Sequence, residues 1–265
     1  MKVLFLGEIV GRTGLQTVRD SLKDFKKEKQ IDFVIANGEG TTSGFGLGMQ
    51  HAQTLFNYGV DVITGGEKIF FKIDMQQFIK RKNKILRPQN YPEGVPGVGQ
   101  NYFDVNGTKV YVLNLLGTQD MNSTHLNNPF IIADECLKKA EVETPFIFVN
   151  YHASTTAEKG SMGYHLAGRA SAVIGTHSKV LTNDARILER GTAFITDNGR
   201  TGSNMSVGGF DSKNEIEKFT TQIFVRSTNC FDDPRLQGVL VELNDKGKAV
   251  GIETINMSVE LKDSK

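Results

Sequence analysis

The sequence predicts an α/β fold built on a parallel or mixed sheet, and three observations carry that expectation. Short apolar runs alternate with amphipathic helical segments through the first 65 residues. The second half turns to β-type alternation. Glycine and ionisable residues gather where the apolar runs end.

Taken in order, residues 3–6 (VLFL) read as a short buried strand, and residues 11–29 as a helix with Leu15, Val18, Leu22 and Phe25 on one face. Residues 33–36 (FVIA) give a second strand, 48–58 a helix, and 60–64 a third strand followed by another helical stretch. Residues 86–107, with Pro88, Pro92, Pro96 and many glycines, read as an extended excursion outside the core. Strands are then expected at 109–116, 145–150, 172–174, 192–196, 222–226, 238–242 and 249–253. The NDKG turn at 244–247 joins the last two as an edge hairpin. The tail 261–265 is expected to fray.

Composition narrows the class. With 265 residues, 38% hydrophobic and 23% charged, the chain can bury a full core as one domain. A net charge of +1 offers no footprint for DNA or a membrane surface, so neither is an expected partner. Two cysteines, Cys136 and Cys230, suggest no disulfide framework and fit a reducing, cytoplasmic location. The N-terminus is a poor signal peptide, and no run approaches the ~18 apolar residues of a membrane helix.

The chemistry is concentrated at strand ends. These read Gly7-Glu8, Asn37-Gly38-Glu39-Gly40, Gly65-Gly66-Glu67-Lys68, Asn150-Tyr151-His152 and Gly175-Thr176-His177-Ser178-Lys179. Carboxyl ends of strands in an open α/β sheet face one crevice, where ligands bind. A single loop glutamate is usually solvated, and a single histidine is usually structural. Five strand ends that repeat the pattern beside glycines favour one shared site. The first Gly-rich turn could instead be a dinucleotide loop, but its spacing is weak and Glu8 would face a pyrophosphate. Ser154, Ser161 and Ser178 lack a nucleophile elbow, and His51, His125 and His165 read as surface residues.

The stretches FLGEIVG, IANGEGTTSGFGLG, VDVITGGEKIF, LRPQNYP, NYHASTTAEKGSMGYHLAGRASAVIGTHSKVLTNDARIL and GTAFITDNGRTG make the chain resemble the YmdB-like branch of the calcineurin-like metallophosphoesterases over nearly its whole length. The resemblance implies a two-sheet β-sandwich flanked by helices (α/β/β/α), one domain over 1–265, with a small cap to which 86–107 would belong. It also implies family loops reading G-D, N-G-E-N, G-N-H, F-H-A-E and G-T-H-T-H, which hold two bridged metal ions and cleave phosphodiesters such as 2′,3′-cyclic nucleotides. A homo-oligomer is implied as well.

Carried across, the loops depart from the pattern. Glu8 stands for the first aspartate, Gly40 for an asparagine, Glu67-Lys68 for Asn-His, and Lys179 for the last histidine, while Glu39, His152 and His177 are kept. The resemblance then implies one metal site from Glu39, Glu67, His152 and His177, suited to Fe, Mn or Zn, and a second lost at Glu8, Gly40 and Lys179. At most one divalent transition metal is expected, or none. Lysine cannot donate a lone pair while protonated. A lysine side chain has a reference pKa of about 10.4, which makes lysine, at position 68 in place of the family's catalytic histidine, a poor proton shuttle at pH 7. Lys68, Lys179 and Arg200 remain candidates to bind phosphate. The main expectation is therefore impaired or lost phosphodiesterase activity in a module that binds a nucleotide, an RNA end or a protein. The alternative is an active mononuclear phosphodiesterase.

Overall fold

The chain alternates strands and helices in the order β1 (Lys2–Leu6), β2 (Glu8–Ile9), α1 (Gly11–Lys29), β3 (Phe33–Asn37), α2 (Met49–Asn57), β4 (Val62–Thr64), α3 (Ile73–Phe78) and β5 (Ile85–Leu86). There follow β6 (Gln100–Val105), β7 (Thr108–Leu116), α4 (Pro129–Glu143), β8 (Ile147–His152), α5 (Thr156–His165), β9 (Ala172–Thr176), β10 (Arg186–Leu188), β11 (Thr192–Ile195) and β12 (Arg200–Ser203). The last elements are α6 (Ser212–Thr221), β13 (Pro234–Leu243) and β14 (Ala249–Ser258). The structure, a computed structural model, describes residues 1–121 and 125–262, so most of the tail expected to fray lies outside the described residues.

Two sheets result. The first runs β2-β12-β13-β1-β3-β4-β5, with β14 paired to β13, and the second runs β10-β11-β9-β8-β7-β6. Strands β1, β3, β4 and β5 are mutually parallel, as are β7, β8, β9 and β11. Their carboxyl ends therefore share an edge within each sheet.

The alternation of side chains sorts the core into three layers. In β1, Val3 and Phe5 face the second sheet, where they join Val110, Val112, Phe148 and Ile174; Leu4 and Leu6 face α1 and α2 with Val18, Leu22 and Leu55. The outer face of the second sheet packs Leu113, Val149 and Val173 against Leu137 of α4 and Met162 of α5. Strands buried on both faces read as continuous apolar runs, which is why residues 3–6 and 33–36 signal so clearly.

Three expectations need correction. Residues 222–226 form no strand: α6, capped by the Asp211 side chain on the Lys213 N–H, ends at Gln222 with φ +58°. The apolar run Ile223-Phe224-Val225 has strand propensity but no strand to pair with. Of the stretch 86–107, Leu86 closes β5 and residues 100–105 form β6, an edge strand antiparallel to β7. Strand β13 is interior, between β14 and β1, so only β14 of the final hairpin lies at an edge.

Candidate active site

The carboxyl edges of the two sheets meet where Glu67, His152 and His177 converge. Glu67 follows β4 through Gly65-Gly66, His152 ends β8, and His177 follows β9. His152 Nε2 lies 3.0 Å from Glu67 Oε2 and 3.1 Å from His177 Nδ1, and His177 Nδ1 lies 3.9 Å from Glu67 Oε2. The imidazoles stand edge to face, with centroids 4.9 Å apart. A ligand atom from each residue falls within 4.8 Å of the other two. Gly66 makes room for this packing, since a Cβ there would come within 2.3 Å of His152 Cδ2.

Neighbouring polar groups fix the His152 ring. Its Nδ1 is 3.1 Å from Asn37 Nδ2 and 2.9 Å from Thr176 Oγ1. Asn37 Oδ1 accepts the Glu39 N–H at 2.9 Å, which commits its amide N–H to the imidazole. His177 is held differently, on a left-handed backbone with φ +107°. Asn37 and Thr176 were not singled out from the sequence. Asn37 lies in the NGEG run, and only its place at a strand end hinted at a role.

Electrostatics bind the cluster together. Burial favours a neutral Glu67, but the hydrogen bond and charge of His152 outweigh it and hold the carboxyl below its usual range. Burial likewise opposes a charged His152, yet the hydrogen bond it donates to Glu67 and the charges of Glu67, Glu39 and Glu8 raise its pKa. His177 moves the other way, to about 4, through burial and the neighbouring His152 charge. With the Asn37 N–H on Nδ1, the His152 ring turns Nε2 toward Glu67 and His177.

Glu39, expected in the same ligand set, stands outside the three-residue cluster. Its carboxylate accepts the backbone N–H groups of Gly66, at 2.6 Å, and Lys68. It thereby pins the turn that carries Glu67. Burial raises its pKa to about 7, against the lowering influence of His152.

The remaining candidates fall into two groups. Buried Glu8 places Oε1 3.2 Å from Lys179 Nζ, directly above Gly40. The Glu8 charge raises the Lys179 pKa despite burial. Lys68 Nζ lies 3.7 Å from Glu67 Oε1 with about a quarter of its side chain exposed. Arg200, expected as a phosphate ligand, is instead engaged by backbone carbonyls: Nη1 donates to Lys179 at 2.7 Å, Nη2 to Asn204 at 2.9 Å and Nε to Ser203 at 3.0 Å. It braces the Lys179 loop. His51 bonds Thr42 at 2.8 Å, His165 pairs with Asp134 at 3.1 Å, and His125 is exposed; none joins the cluster.

Beneath the His177 loop lies a pair the sequence did not reveal. Lys159 Nζ of α5 sits 2.9 Å from Asp197 Oδ2 and 3.0 Å from Ser178 Oγ, and both charged side chains are fully buried. Asp197 Oδ2 also accepts the Ser178 N–H at 2.8 Å. Ser178, between His177 and Lys179, is thus gripped through backbone and side chain.

One carboxylate and two imidazoles form a donor set that Zn²⁺, Fe²⁺ and Mn²⁺ all accept. Two sheets flanked by helices, with this set at their shared carboxyl edge, define a protein of the calcineurin-like metallophosphoesterase class. The chain belongs to the YmdB-like protein family, which it matches over residues 4–255. It is 40% identical over 256 residues to a 2′,3′-cyclic-nucleotide 2′-phosphodiesterase of Bacillus subtilis (strain 168), covering 96% of each chain. Two crystal structures superpose with TM-scores of 0.91 at 31% identity. One is a hypothetical protein from Thermus thermophilus, where 98% of this chain covers 100% of that one; the other is described as a novel phosphatase from Mycoplasma pneumoniae, with 98% and 94% covered. Among the described residues, no helix is long and apolar enough to cross a membrane.

Proposed function

We propose that this chain is an active, metal-dependent phosphodiesterase that acts on 2′,3′-cyclic nucleotides or similar phosphodiesters. The observation that carries the reading is the convergence of Glu67, His152 and His177 from two different sheets. The near-full-length similarity to the Bacillus subtilis phosphodiesterase supports activity over the lapsed site expected from the loop substitutions.

Glu67 Oε2, His152 Nε2 and His177 Nδ1 would hold the ion. When bound, such an ion supplies Lewis-acid polarisation and lowers the pKa of a coordinated water. The chain's own groups do the rest. Glu39 fixes the turn presenting Glu67, and Asn37 and Thr176 fix the His152 ring. The Lys68 and Lys179 ammonium groups, each partly exposed, bind the non-bridging phosphate oxygens and stabilise charge that develops there. Lys68, beside Glu67, favours departure of the leaving oxygen by charge and hydrogen bonding.

The test is hydrolysis of 2′,3′-cyclic AMP by purified protein incubated with Mn²⁺, Fe²⁺ or Zn²⁺, with Glu67→Gln as control. Metal-dependent release of a nucleoside monophosphate that the control loses is expected. No turnover with any of the three ions, alongside retained nucleotide binding, would return the protein to the binding-module reading.

A further inference from the structure

The family resemblance implies a second cation at the loops that carry Glu8, Gly40 and Lys179, and the residues present do not fit one. Lysine as an ammonium has no lone pair to give, and its charge repels a metal ion. Glycine at 40 supplies no side-chain ligand. What remains is one buried carboxylate, Glu8, whose Oε1 lies 3.2 Å from Lys179 Nζ.

The space is matched to this arrangement. A Cβ at position 40 would come within 2.6 Å of Glu8 Oε1 and 3.1 Å of Ile9 O, so a side chain there conflicts with Glu8 as it sits. Glu8 reaches one methylene further than an aspartate would, into room that only glycine leaves. Lys179 in turn occupies a left-handed position, φ +61°, with its carbonyl gripped by Arg200. The ammonium is aimed at Glu8 by a braced loop.

We propose that the Lys179 ammonium takes the place of a second divalent cation: Glu8 and Lys179, in the room that Gly40 leaves, form an internal ion pair that keeps a second ion out of the chain. The inference deepens the phosphodiesterase reading, on which it rests for the first ion only.

The experiment counts ions. Native protein and a Glu8→Asp/Gly40→Asn/Lys179→His variant are freed of metal, equilibrated with excess Mn²⁺, gel-filtered in Mn²⁺-containing buffer and measured by plasma mass spectrometry and titration calorimetry. The variant is expected to bind one Mn²⁺ more per chain than the native protein. Equal counts overturn the proposal, as does a native count of two. A native count of zero with one in the variant supports the ion-pair substitution while sinking the metal-dependent reading, so the two failures are distinguishable. Should the triple variant not fold, Lys179→Asn serves: asparagine tolerates the left-handed backbone and offers a carbonyl oxygen. The extra ion is then expected at millimolar Mn²⁺, and its absence overturns the proposal equally.

Discussion

Replacing Lys159 with methionine would test whether the buried ion pair under the His177 loop holds the site together. The native ammonium is enclosed, with Asp197 at 2.9 Å and Ser178 Oγ at 3.0 Å. Methionine fills most of the same volume, so the cost comes from the carboxylate left behind rather than from a cavity. Breaking a buried pair by removing one partner costs about 3–5 kcal/mol. Asp197 would keep the backbone N–H groups of Ser178 at 2.8 Å and Gly199 at 3.1 Å, which places the expected loss at the low end, about 3 kcal/mol. For a chain of this size each kcal/mol shifts the melting temperature by about 2–4 °C, so a fall of about 6–12 °C is expected by calorimetry on metal-free protein at pH 7. Adding Asp197→Asn to Lys159→Met should recover part of the loss, because no uncompensated charge remains. A fall below about 2 °C, or no recovery in the double variant, would refute the claim that this pair anchors the loop.

Other outcomes follow from the same geometry. Gly66→Ala is expected to abolish tight metal uptake while the fold survives, because the new Cβ would meet the His152 ring at 2.3 Å; Co²⁺ absorption titration reads this directly. Saturating Mn²⁺ at 100 times its Kd should stabilise the native protein by about 2.7 kcal/mol, an effect that chelator reverses and that Glu67→Gln lacks in thermal melts. Burial favours a neutral Asp184, but hydrogen bonds from Thr182 and Thr196 dominate and depress its pKa below the ordinary 3.8. A depressed carboxylate lends stability above its unfolded value and loses it as pH falls through the folded one. Asp184→Asn should therefore cost about 1–2 kcal/mol at pH 7, with the gap to the native protein closing below pH 3.8 in urea titrations.

Local periodicity made much of this fold readable. Residues 3–6, 11–29 and 33–36 appear in the structure within a residue or so, since strands buried on both faces and a one-sided helix leave strong apolar signatures. That Glu67, His152 and His177 come together was readable too, because parallel strands bring their carboxyl ends to one edge. What escaped was pairing between distant positions. Nothing periodic links Asn37 to His152, 115 residues apart, or Lys159 to Asp197, 38 apart. Helix α6 escaped for a different reason: it has no buried side chain, so its apolar residues carry no burial pattern. The bracing contacts of Arg200 with the carbonyls of Lys179, Ser203 and Asn204 escaped as well, because a cation that braces a loop and one that faces a ligand look alike in sequence.

The site spans two sheets whose apolar interface alone would tolerate small slips, so something must hold Glu67 at hydrogen-bond distance from His152. Buried amides at the shared edge supply that constraint. Asn114 of β7, in the second sheet, donates at 2.8 Å to the carbonyls of Gly65 and Leu86 in the first, and accepts from Asn150 of β8 at 2.8 Å. Asn37 of β3 reaches the other way, to His152. Each bond is directional and buried, and losing a partner would strand a carbonyl without water. Apolar packing sets the distance between the sheets, while these asparagines set their lateral register. The turn at Gly65-Gly66 is tied from above by Glu39 and from below by Asn114, so Glu67 reaches the histidines from a fixed base. The geometry of the Glu67, His152 and His177 cluster is therefore built by amide chemistry in the layer beneath it, and it does not depend on which side chains the neighbouring loops carry at positions 68 and 179.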